Sequence, residues 1–279
     1  MAGVIELGRE VLTDQTKRPA ISLKRVALPT EHGSWVILLE PLVASLVVYP
    51  SAAAPFIALT VIGAFLLRQP LKVLLLSFGR KQPRGSREAA AKYASGYTIL
   101  FVIGVVGAIM KTSLNNLAPL ALLVPLGAFQ LYNDTERKTR ELVPELAGAT
   151  GISAAAASVV LAGGGGWAAA LALWVLFASR AVASFVYVRQ RLRLEKGKAY
   201  AEVPPAVLHF AALFVCGELW FVSLLPLLPV LVVAILLARC IYGLSERRKR
   251  LKAVQIGIRE VLYGAALTAA FVAGSYLEI

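Results

Sequence analysis

The residues able to do chemistry sit where lipid should be. Arg68-Gln69-Pro70-Leu71-Lys72 interrupts a long apolar run, with Arg68 twelve residues before Arg80. At 1.5 Å of rise per residue, that places Arg68 about 18 Å below the basic cluster that follows, too deep for comfortable snorkelling. Arg68 and Lys72 are four apart and share a helix face. Pro70 removes one helical N–H between them. The spacing predicts a basic, kinked patch facing a bundle interior; the alternative is a helix that ends near Leu67 and leaves both cations among headgroups.

Arg180 repeats the pattern, nine residues before Arg189 and followed by Ser184 and Tyr187 at helical spacing. A structural ion pair and a ligand contact are equally good readings of it. Glu40 lies inside the first apolar run, after Glu31-His32-Gly33-Ser34-Trp35, and needs a cation or a proton. His32 stands at a helix start, and Trp35 suits an interfacial belt. His209 and Glu218 are nine apart on one run and point to opposite sides, which argues against a pair. The segment Tyr132-Asn133-Asp134-Thr135-Glu136-Arg137-Lys138 offers two carboxylates, Asp134 and Glu136, suited to magnesium, or a self-neutralised solvated loop. No cofactor is otherwise expected.

Read as an inventory, the inner half of the chain offers many cations and only Glu40 as an acid well inside. Such an excess implies an amphiphilic anion, a phosphate, diphosphate or carboxylate on a lipid-soluble body. The expected contacts are His32, Glu40, Arg68, Lys72, Asn133, Asp134, Arg137, Lys138, Arg180, Tyr187 and Arg189.

The elements that must position these groups follow from hydropathy. Hydrophobic residues make up 58% and charged residues 16% of the 279, against about 45–50% and about 25% in soluble domains. A helix needs about 20 apolar residues to cross a bilayer. Runs of that kind fall near 33–49, 54–78, 93–110, 115–132, 143–162, 167–188, 204–225, 227–243 and 257–276. The expected fold is an all-α polytopic membrane bundle of about nine helices: a single domain over 31–279 after a cytoplasmic segment, 1–30. That segment lacks the apolar core of a cleavable signal.

Of the 29 Lys and Arg residues, 28 fall on one side of this arrangement and only Lys111 on the other. The positive-inside rule therefore predicts a cytoplasmic N-terminus and an external C-terminus. The formal charge of +13 is distributed among short connections and not gathered on one solvated face, which excludes nucleic acid as the expected partner. Cys216 and Cys240 lie in apolar runs without metal-ligand spacing and read as packing residues.

Glu31-His32-Gly33-Ser34-Trp35 with Glu40-Pro41 resembles the N-terminal "HGAW…P" signature of the YwiC-like family of bacterial membrane proteins. Tyr187-Val188-Arg189 with Arg191 and Arg193 resembles that family's "YVR" segment, and Pro144-Glu145-Leu146-Ala147-Gly148 its middle region. The resemblance implies a multi-pass protein of the bacterial cell membrane. More distantly, the chain is similar to the UbiA superfamily of membrane prenyltransferases. Their nine helices, cytoplasmic N-terminus and cytoplasm-facing cavity match the expected topology, and Tyr132, Arg137, Thr139, Pro144 and Gly148 resemble their diphosphate-holding loop. That likeness implies a prenyl diphosphate ligand. Their aspartate-rich, magnesium-binding motifs are replaced here by Arg68-x-x-x-Lys72 and Tyr187-Val188-Arg189-Gln190-Arg191. Two functions lead: a non-typical prenyl or lipid-phosphate transferase, or a non-catalytic binding or transport protein for an anionic isoprenoid or quinone-like lipid. A structural subunit whose basic loops hold a soluble partner or acidic headgroups is a third.

Overall fold

The computed structural model describes residues 23–29, 32–77, 85–136 and 141–278. A short α1 (Leu23–Ala27) precedes α2 (His32–Val48), α3 (Ala54–Ser77) and α4 (Ser86–Lys111). Then come a single turn, α5 (Leu114–Leu117), a 3₁₀ turn (Ala118–Leu122) and α6 (Leu123–Thr135), which together make one span. The remaining spans are α7 (Leu142–Ala162), α8 (Trp167–Glu195), α9 (Val203–Phe221), α10 (Leu227–Leu244) and α11 (Ala253–Leu277). Among the described residues there is no strand.

Eight of these units are long and apolar enough to cross a membrane, and the shorter apolar stretch Gly33–Val48 of α2 accompanies them. The protein is a multi-pass helical bundle. The helix ends follow the expected turns: α2 gives way to α3 around Pro50, and α7 to α8 across Gly163–Gly166. Two boundaries run past the expected ones. α8 continues to Glu195, beyond the expected end near 188. α4 begins at Ser86, a full turn and more before its apolar run, because Ala89, Ala90, Ala91 and Ala94 are strong helix formers. α3 continues through Pro70 to Ser77, as the run 54–78 predicts, so Arg68 and Lys72 are helical residues and the alternative of an end near Leu67 is set aside.

The bundle has two parts. α2, α7, α8, α9, α10 and α11 close a ring, each packed on the next and α11 on α2, with α8 also touching α2, α10 and α11. Its core runs through Ala156, Leu173, Leu176, Phe177, Cys216 and Leu267. α7 is the partition: its stretch Ser153–Leu161 is wholly buried, and its small residues let neighbours approach closely.

On the other side of α7 lie α3, α4 and the α5–α6 span. α4 is fastened mainly to α3, where a Cβ on Gly104 would fall 2.7 Å from the Thr60 hydroxyl and 2.9 Å from the Phe56 carbonyl, so only glycine permits this contact. Among the described residues α4 makes no contact with α6 or α7.

Candidate functional site

The missing contact between α4 and α6 leaves a slot. A cavity of about 600 Å³ lies between α3, α4, the α5–α6 span and α7. Its α3 lining runs from Thr60 to Leu71, about 16 Å along the helix. Phe65, Phe101, Val105, Leu120 and Ile152 represent its walls; among the described residues Arg68 is the only charged one that lines it. The basic cavity expected from the inventory of cations is thus an apolar slot touched by one cation. Its volume falls within the roughly 300–1,000 Å³ of small-molecule pockets.

Arg68 is held by α6. Its Nε and Nη2 donate to Asp134 Oδ2 and Oδ1 at 2.8 and 3.0 Å, a two-pronged charge-assisted pair. Lys72 Nζ stands 3.9 Å from Asp134 Oδ1, so both carboxylate oxygens face cations. The Asp134 side chain is 1% exposed, against 18% for Arg68. Asn133 beside it is buried and donates back to the Phe129 carbonyl at 2.8 Å. Glu136, its suggested companion for magnesium, is exposed. Arg137 and Lys138 lie outside the described residues, as does the His32 side chain.

The other expected residues sit across α7, inside the ring. Glu40 on α2 accepts from Arg180 Nη1 at 2.9 Å, and Arg180 Nη2 reaches the Glu260 carbonyl at 2.9 Å. Beside them lies a second group that no motif in the sequence marks. Arg239 on α10 donates to Glu260 Oε1 on α11, and its Nη2 to His209 Nε2 on α9 at 3.0 Å. Its guanidinium also lies over the rings of Tyr187 and Tyr263, 4.1 and 5.1 Å from their centroids, in cation–π geometry. Arg189 stands apart and pairs with Glu145 of α7 at 3.1 Å. Arg191 of the "YVR" segment is a structural clamp: it is fully buried, donates to the Gly243 and Lys249 carbonyls, and pairs with Glu195 at 2.7 Å.

The expected residues therefore form two groups and not one clamp, a slot-side trio (Arg68, Lys72, Asp134) and a ring network (Glu40, Arg180, Tyr187). The view that Glu40 is the sole inner acid is corrected, because Asp134 and Glu260 are drawn inward to cations on other helices. Among the described residues no group of three or more His, Cys, Asp or Glu side chains is arranged to hold a metal ion.

Fold and charge placement define a multi-pass α-helical membrane protein with ionisable groups sequestered between its spans. Residues 28–160 match the family model described as YwiC-like protein, so the resemblance noted in the sequence holds over that stretch. The match takes in Glu40, the Arg68–Asp134 pair and the walls of the slot, and stops short of α8. No curated protein and no solved structure matches the chain.

Proposed function

We propose that the protein binds an amphiphilic anion, its apolar chain in the slot between α3, α4, α6 and α7 and its phosphate or diphosphate head at Arg68. The observation that carries this reading is the slot itself: about 600 Å³ of apolar wall meeting a single cation at its lining. An isoprenoid or similar lipid suits such a wall, and a guanidinium suits a phosphate. Because α4 and α6 do not meet, a lipid chain can pass between them from the bilayer.

Binding or transport is the reading we take, in preference to prenyl transfer. What supports it is the polar end of the slot, where Asp134 is committed to Arg68 and Lys72 and, among the described residues, belongs to no group of three or more His, Cys, Asp or Glu side chains. The ligand is held without metal.

Gly127 of α6 lines the slot, and a Cβ placed there meets nothing within 4 Å. Gly127→Trp accordingly fills the slot without disturbing the helix. In nanodiscs with chelator present, the parent is expected to bind farnesyl phosphate, and Gly127→Trp to bind it at least about tenfold more weakly, about 1.4 kcal/mol. Equal binding by both would remove the slot from the account. We also read the face bearing the basic connections as cytoplasmic. A reporter after Glu278 then reads as external and one within 245–252 as cytoplasmic; a cytoplasmic C-terminus would contradict this orientation.

A further inference from the structure

The ring network takes no part in the slot and calls for its own explanation. It brings together Glu40, Arg180, His209, Arg239 and Glu260 from five different helices. His209 Nδ1–H donates to the Pro205 carbonyl at 2.7 Å, and its Nε2 accepts from Arg239, which fixes it as a neutral imidazole. Two guanidiniums then stand against two carboxylates.

Charge is balanced but hydrogen bonding is not. Glu40 Oε1 and Glu260 Oε2 are buried without a partner, as are Nε of Arg180 and Nε of Arg239. Glu40 is the more enclosed acid, only 6% exposed. Its carboxylate and Arg180 Nη2 occupy the space where a Cβ on Gly264 of α11 would stand, so α11 presses bare backbone against the pair. An ionised oxygen with no donor is costly inside a membrane. A proton relieves that cost and needs no cavity to enter.

We propose that Glu40 is a proton-binding site, with Oε1 as the receiving atom. Uptake of one proton from solvent turns the carboxylate into a carboxyl group and takes the five-residue network from neutral to +1. Arg180 keeps its bond to the Glu260 carbonyl. What is lost is the ion pair tying α2 to α8, so protonation acts where α2, α8 and α11 meet. The charged neighbours of Glu40 are Arg180 of α8 and Glu260 of α11, with Arg239, His209, Tyr187 and Tyr263 beyond them. This inference rests on the ring alone and survives or fails independently of the lipid reading.

Infrared spectroscopy of the full chain in nanodiscs tests it. Solvated carboxyls are ionised well above pH of about 4. Where solvated carboxyls are ionised, the parent is expected to show one protonated carboxyl C=O stretch that is lost as pH rises. Glu40→Gln should lose it, and Glu260→Gln should keep it. A parent spectrum without such a band would overturn the proposal, as would a band that survives in Glu40→Gln or disappears in Glu260→Gln at every pH. Should Glu40→Gln fail to fold, the parent and Glu260→Gln spectra decide alone.

Discussion

Arg180→Ala is expected to destabilise the protein by about 3–5 kcal/mol, the loss typical when one partner of a buried ion pair is removed. Arg180 is 3% and Glu40 6% exposed at the side chain, so no water replaces the guanidinium. The variant strands the Glu40 carboxylate and also leaves the Glu260 carbonyl without its donor. A stranded carboxylate can be neutralised by a proton held in the folded state and released on unfolding. The variant's stability therefore falls as pH rises and is partly recovered in acid. Unfolding curves in mild detergent at several pH values measure this. Replacing Glu40 and Arg180 together by leucine should cost far less than Arg180→Ala, because no buried charge is left alone. A single-variant loss below about 1 kcal/mol would mean that the pair is solvated and the ring network loose.

Much of this was legible in the sequence, and the failures have a common cause. Depth below a basic cluster, counted in helix rise, singled out Arg180, which is buried, and Arg68, which is helical and only partly buried against Asp134. The same count applies to Arg239, eight residues before Arg247, and to Glu260, eight residues after Lys252. Arg239 counts among the 28 cations of one side, and Glu260 follows Arg259 at the far edge of the same basic connection, so neither stands out as an interior group. Pairings were the harder problem. Arg68 meets Asp134 across 66 residues and Arg180 meets the Glu260 carbonyl across 80. The periodicity of a single helix carries no information about a partner on another. Asp134 illustrates this: its neighbours made it a loop acid suited to magnesium, whereas α6 continues to Thr135 and turns it inward. The slot was invisible for a similar reason, since it exists because α4 leans on α3 and never reaches α6.

Arg68→Ala carries the second large effect, and it acts on two quantities. A charge-assisted contact to phosphate is worth roughly 1.5–3 kcal/mol. Its loss should weaken farnesyl phosphate binding by about 10- to 150-fold. The substitution also strips Asp134, whose side chain is 1% exposed, of its two-pronged partner and leaves it only the longer contact to Lys72, so stability falls as well. Adding Asp134→Asn separates the two. Arg68→Ala with Asp134→Asn should regain stability but not affinity. Asp134→Asn alone should tighten binding, because the ligand no longer competes with a carboxylate for the guanidinium. Should the double variant bind like the parent, Arg68 would be a structural ion-pair member and no more.

The central claim is that the slot holds a lipid with an anionic head, and mass spectrometry of lipids retained by gently purified full-length protein addresses it most directly. The account predicts one phosphate-bearing amphiphile enriched over its share of the surrounding membrane, present in the parent and depleted from Gly127→Trp. A lipid profile that mirrors the bulk bilayer in both proteins would contradict it.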